Sequence, residues 1–123
     1  GGGIPCFFED DGTLEGLDAV IDKDMSAALL GRILKAEELF IITDVNNIFI
    51  NFRQQDEYPL HQTTATEIEN FLKEGHFSRG TMAPKIRAAL YFLQHHGEKV
   101  VITSIDCLEG AIEGDLGTTI RND

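Results

Sequence analysis

Residues 21–45 read IDKDMSAALLGRILKAEELFIITDV, a helical spacing followed at once by a strand-like run. Between Asp22 and Lys35, the residues Met25, Ala28, Leu29 and Ile33 recur at i, i+3, i+4 and i+8, which predicts one apolar face of an amphipathic helix. Asp22 or Asp24 then stands at the electropositive start of that helix. Leu39-Phe40-Ile41-Ile42-Thr43 is a short unbroken apolar run, the pattern of a strand covered on both faces. Helix and strand alternating in this way predict an α/β fold: three layers, helices on both sides of a mainly parallel sheet.

The flanking sequence extends the pattern. Ile48-Phe49-Ile50 predicts a second short strand after the polar turn Asn46-Asn47, and residues 53–64, polar and carrying Pro59, read as a surface loop. Thr66-Glu67-Ile68-Glu69 has the spacing of a capping box, opening a helix that stops at Gly75. Pro84 is expected to start another helix, with Ile86, Ala89, Leu90 and Leu93 inward and Gly97 as its stop. Val100-Val101-Ile102-Thr103 predicts a third buried strand, residues 105–112 a helix, and Thr118-Thr119-Ile120 a last strand. Neither a repeat nor a linker divides the 123 residues, so a single domain is expected.

Composition narrows the function. Apolar residues make up 42% and charged residues 25%, as in ordinary globular proteins. The longest apolar run is far too short to cross a bilayer, and a soluble, cytoplasmic protein is expected. The formal net charge of −11 argues against nucleic-acid binding, which needs clustered Lys and Arg against a phosphate backbone. It leaves room for a small phosphate ligand, which needs only a few local donors. Cys6 and Cys107 are too few and too far apart for a metal motif and read as reduced thiols. His61, His76, His95 and His96 show no ligand spacing, so no metal site is expected and each is assigned a surface or capping role.

Three stretches carry candidate chemistry, because open α/β sheets place ligands where strands end and helices begin. Gly1-Gly2-Gly3-Ile4-Pro5 could bring backbone amides close to an anion, or could simply be a flexible terminus. Ile21-Asp22-Lys23-Asp24 puts a lysine at a helix start, where a cation opposes the helix dipole. A solvated helix end explains the aspartates but not that lysine. Gly80-Thr81-Met82-Ala83-Pro84-Lys85 runs a glycine turn into a proline-started helix, with free amides and one ammonium at the same end. Thr43-Asp44-Val45 closes the strongest strand and faces the same crevice.

GGGIP, IDKD, TDV and GTMAPK, in this order, together resemble the carbamate kinases of the amino-acid kinase family. Glu9-Asp10-Asp11-Gly12, Ile50-Asn51-Phe52, Glu74-Gly75-His76-Phe77 and Gly117-Thr118-Thr119-Ile120 add to the likeness, which runs the length of the chain. The resemblance implies a reversible transfer of a phosphoryl group between ATP and carbamate, with magnesium, ATP and ADP as nucleotides, and a homodimer for the full-length enzyme. It further implies that residues 1–123 are a C-terminal ATP-binding lobe, and that an N-terminal lobe with most of the carbamate site, a glycine-rich loop and another lysine lies elsewhere. Carried over, Lys23 and Lys85 would meet the ATP phosphates, with Asp24 orienting both ammonium groups. Gly1, Gly2 and Gly3 would line the substrate and phosphate side, and Thr43, Asp44, Val45 and Met82 the nucleotide pocket. Two positions depart from the family pattern. Asn46-Asn47 stand where an acidic residue and glycine are usual, with asparagine expected to tolerate a left-handed turn. Ala83 stands where glycine is common.

Overall fold

The computed structural model describes residues 3–78 and 80–123. In chain order the elements are β1 (Cys6–Phe8), β2 (Leu14–Gly16), α1 (Lys23–Leu34), β3 (Glu38–Thr43), β4 (Ile48–Ile50), β5 (Tyr58–Leu60), β6 (Gln62–Thr64), α2 (Ala65–Lys73), α3 (Met82–Gln94), β7 (Lys99–Ser104), α4 (Leu108–Glu113) and β8 (Thr118–Arg121). The main sheet has the order β3-β7-β8-β6. β3 pairs with β7 and β6 with β8 in parallel, while β7 and β8 are antiparallel, so the sheet is mixed. Two antiparallel ribbons, β1-β2 and β4-β5, stand apart from it.

β7 shows why the fold has three layers. Val100 and Ile102 enter the main core with Ile41 and Ile120, and Val101 and Thr103, which alternate to the opposite face, are buried as well. A strand buried on both faces needs cover on both. α3 forms the middle of one layer, with α1 on one side and α2 on the other. It buries Ile86, Ala89, Leu90 and Leu93 as expected, and Ala88 and Phe92 too.

α1 differs from its expected orientation. Met25 and Ala28 pack inward, but Leu29 and Ile33 are 45% and 68% exposed. The inward face instead carries Gly31, where an added Cβ would sit 2.8 Å from Phe92 Cε2. Two helices can approach this closely only where the side chains between them are small, and that approach rotates the leucine-rich face of α1 outward.

Four further differences have local causes. The α2 cap is Thr64, whose hydroxyl accepts from the Glu67 N–H, rather than Thr66. α3 begins at Met82, two residues before Pro84, because a proline without an N–H is tolerated anywhere among the first-turn positions that lack intrahelical acceptors. Residues 105–112 split into a 3-10 turn, Ile105–Cys107, and α4. Residues 53–64 hold β5 and β6 in place of a continuous loop, with Pro59 opposite Phe49 in the β4-β5 ribbon.

Candidate functional site

β3 and β7 are parallel and in register from Glu38↔Lys99 to Thr43↔Ser104, so their carboxyl ends lie together. The amino-terminal ends of α1 and α3 meet there. Asp22 caps α1, its carboxylate accepting from the N–H groups of Asp24 (2.9 Å) and Met25 (3.3 Å). With Asp22 engaged by the backbone, Asp24 is left to face α3. Its Oδ2 accepts from Lys85 Nζ at 2.8 Å across 61 positions of sequence, and both side chains are partly buried. Two charges half out of water pair closely when each is the other's main counter-ion, and here the pair fixes the direction of the ammonium.

Two adjoining depressions open at this end of the sheet. The first, a cleft of about 330 Å³, is lined by Thr43, Asp44, Val45 and Asn47 from the turn after β3, by Phe49, Phe52 and Arg53, and by His76, Phe77, Gly80, Thr81 and Met82. Its size falls within the range of small-molecule sites, and its mix of aromatic walls with a few polar groups is typical of them. The second is a more open groove that shares Thr43, Asp44 and Thr81 and continues to Ile21, Asp22, Asp24, Pro84 and Lys85. An apolar cleft thus leads into a groove with an ammonium at its far side. Thr81, at the N-cap of α3, makes no side-chain cap bond, so it does not occupy the first-turn donors of Met82 and Ala83.

The predicted residues divide clearly. Asp24, Thr43, Asp44, Val45, Met82 and Lys85 come together around the two depressions. Lys23 does not join them: it is exposed and its Nζ donates to the Ile21 carbonyl of its own chain segment at 2.9 Å. Asp24 therefore orients Lys85 and not Lys23. Gly3 is exposed, lines neither depression, and has no atom within 4 Å of a built Cβ. Gly1 and Gly2 lie outside the described residues. Ala83 sits in the first turn of α3, half-buried and packed on the core, where a methyl group is accommodated. The left-handed turn expected at Asn46-Asn47 is not formed; among non-glycine residues described, only Lys35, Asn51, Arg53 and His96 have positive φ.

Sequence reasoning missed the aromatic and cationic wall. Phe49, Phe52 and Arg53 enter through the β4-β5 ribbon, with the Arg53 guanidinium 5.3 Å from the Phe52 ring centroid. His76 packs edge-on against Phe71 at 5.4 Å and bonds Glu74 at 3.2 Å, so the surface histidine of the sequence reading is half-buried beside the cleft. Segments 50–52 and 74–77 had stood out only by resemblance; no spacing rule marks a wall built by a ribbon and a loop.

A sequence model of the amino acid kinase family matches residues 1–104, and the chain belongs to that family. Curated relatives at 41–44% identity are carbamate kinases. The carbamate kinase of Trichomonas vaginalis is 41% identical over 98% of this chain and 38% of its own length. That of Thermococcus kodakarensis is 43% identical over 98% of this chain and 38% of its own. Among solved structures, a carbamate kinase from Giardia lamblia bound to AMP-PNP superposes with a TM-score of 0.93 at 43% identity, over 99% of this chain and 42% of that one. The chain spans about two fifths of the length of these relatives.

Proposed function

We propose that residues 1–123 are the ATP-binding part of an ATP:carbamate phosphotransferase, with adenine and ribose in the aromatic cleft and phosphates in the groove beside Lys85. The observation that carries this reading is the continuity of the two depressions through Thr43, Asp44 and Thr81, ending on an ammonium aimed by Asp24. The nucleotide analogue held by the Giardia lamblia relative supports it.

The chemistry suits such a site. Carbamate presents an oxygen that is already anionic, so no base need remove a proton before that oxygen attacks the γ-phosphorus and ADP departs. What must be supplied is alignment of two anions and positive charge on the transferring phosphoryl oxygens. Lys85 Nζ gives one of its three donors to Asp24 and keeps two for phosphate oxygens. Asp24 acts in this scheme by orientation and not as a base. Among the described residues no three His, Cys, Asp or Glu side chains gather into a metal cage. In this reading, magnesium would come with the nucleotide and would supply charge neutralisation at the phosphates. The acceptor site and the remaining catalytic charges belong to parts of the enzyme outside this chain, which accordingly binds nucleotide better than it turns it over.

Calorimetric titration of the chain with ADP and ATP, with and without magnesium, tests the assignment. Lys85→Ala is expected to weaken binding by about tenfold or more, the worth of a charge-assisted hydrogen bond. Lys23→Ala, changing an exposed side chain bonded to its own backbone, is expected to matter less. Equal losses in the two variants would reject the role given to the Asp24–Lys85 pair, and a folded chain that binds neither nucleotide would reject the site.

A further inference from the structure

We infer that Asn46 is a positioning residue, which holds the Thr43–Val45 turn in its ligand-ready shape through a side-chain bond to Ser104. The inference rests on the nucleotide reading of the cleft for its consequence, and on hydrogen bonds for its geometry. Four polar side chains are buried among the described residues: Thr63, Thr103, Ser104 and Thr118. Three of them converge on the segment Asn46-Asn47-Ile48. Ser104 Oγ donates to Asn46 Oδ1 at 2.7 Å, and Thr103 Oγ1 donates to the Asn46 carbonyl at 3.3 Å. Thr118 Oγ1 accepts from the Ile48 N–H at 2.8 Å and donates to the Leu60 carbonyl at 2.6 Å, which also takes Asn47 Nδ2 at 2.9 Å.

The placement of these bonds matters. β3 ends at Thr43 and β4 starts at Ile48, so the turn between them belongs to neither ladder. Neither a glycine nor a positive φ dictates its path. Its shape is set by tethers to neighbouring elements, and the Asn46 tether reaches the last two residues of β7, the strand paired with β3. Thr103 is in turn held from behind, since a Cβ on Gly117 would lie 3.0 Å from Thr103 Cβ. The turn so pinned carries Thr43, Asp44 and Val45 into the cleft and groove. A turn free to move would have to be ordered by each ligand, at the expense of affinity. Asn46 itself lines neither depression, so it acts through its neighbours.

The test compares ADP affinity and amide hydrogen exchange in the wild-type chain, Asn46→Ala, Ser104→Ala, their double variant, and Asn46→Asp, which keeps an acceptor at the same reach. Each alanine variant is expected to bind ADP about three- to tenfold more weakly, the range of one hydrogen bond. The double variant is expected to lose less than about twofold more than either single, because both remove one interaction. Asn46→Asp is expected to bind nearly as wild type. Amides of residues 44–47 should exchange faster in Asn46→Ala and return to normal in Asn46→Asp, with the rest of the chain unchanged. Wild-type affinity in Asn46→Ala, or an Asn46→Asp as weak as the alanine variant, would overturn the inference. If the folded wild-type chain binds no ADP, the nucleotide reading falls, and exchange alone decides the positioning: unaltered exchange in Asn46→Ala overturns it, and faster exchange reversed by Asn46→Asp upholds it.

Discussion

Thr118 shows how much a single hydroxyl can hold in this fold. It is fully buried, yet its oxygen both accepts from the Ile48 N–H and donates to the Leu60 carbonyl, joining β8 to the two strands of the β4-β5 ribbon. Thr118→Val keeps the shape and removes both bonds. The Leu60 carbonyl retains Asn47 Nδ2, but the buried Ile48 N–H loses its hydroxyl acceptor. An orphaned buried donor costs about 1–3 kcal/mol, and that is the expected loss of unfolding free energy in urea for Thr118→Val. The ribbon supplies Phe49, Phe52 and Arg53 to the cleft, so nucleotide affinity should fall with stability in this variant. A loss below about 0.5 kcal/mol, the scatter of ordinary surface substitutions, would mean that the hydroxyl is dispensable there. Lys85 and Lys23 make the contrasting case: identical side chains whose value depends on whether a carboxylate on another helix aims them.

At the scale of elements, the start of α2 offers the sharpest prediction. Thr64 caps the helix by accepting from the Glu67 N–H at 3.3 Å, while Thr63 Oγ1 donates to Glu67 Oε2 at 2.6 Å. Thr64→Ala is expected to cost about 1 kcal/mol of unfolding free energy, as for other threonine caps. Asp123 reaches back to the same helix end, accepting from the Thr66 N–H at 3.2 Å. The Thr66 hydroxyl, then the Thr66 N–H and the Thr64 hydroxyl, hold its carboxyl below the ordinary aspartate value of 3.8. A carboxyl depressed on folding adds stability above its unfolded value and loses it as pH falls through the folded one. The contribution is therefore present from about pH 4 upward and fades in more acid solution. Thermal unfolding of Asp123→Asn from pH 6 to pH 2 should show a shallower acid slope than wild type; identical slopes would remove Asp123 from the account. The capping threonine was legible in type but not in position, because Thr64 and Thr66 both precede a glutamate by three residues. α3, β3 and β7 were readable because their apolar residues meet a core, whereas the spacing in α1 gave the helix but not its orientation, since Leu29 and Ile33 turn outward. β1 and β2, with all six residues exposed, offered no period to read, and Pro59 disguised β5. Within the site, the stretches at strand ends and helix starts were legible from the chemistry of those ends, although Lys23 turns away from the groove, while the aromatic wall depended on tertiary packing alone.

Over the whole molecule, two surface properties oppose one another. The outward face of α1 exposes Leu29, Leu30, Ile33 and Leu34, and the β1-β2 hairpin with its flanks adds Ile4, Phe8, Leu14 and Val20. Apolar surface of this extent favours association. The formal net charge of −11 resists it by repulsion between copies. The balance is adjustable, since repulsion between exposed charges is screened over about 10 Å at 0.1 M salt and about 3 Å at 1 M, while the apolar contribution is not weakened by salt in the same way. Sedimentation of the chain should accordingly show a weight-average mass that rises with sodium chloride. Ile33→Glu, alone or with Leu30→Glu, should suppress that rise. Both side chains are more than half exposed, and Gly31 already supplies the contact that seats α1 on Phe92, so neither change is expected to shift unfolding free energy by more than about 0.5 kcal/mol. If the salt-dependent mass survives both substitutions, the association belongs to the hairpin rather than to α1, and the same experiment with Phe8→Glu locates it. If the mass falls with salt, charge is driving association and the apolar face of α1 is inert.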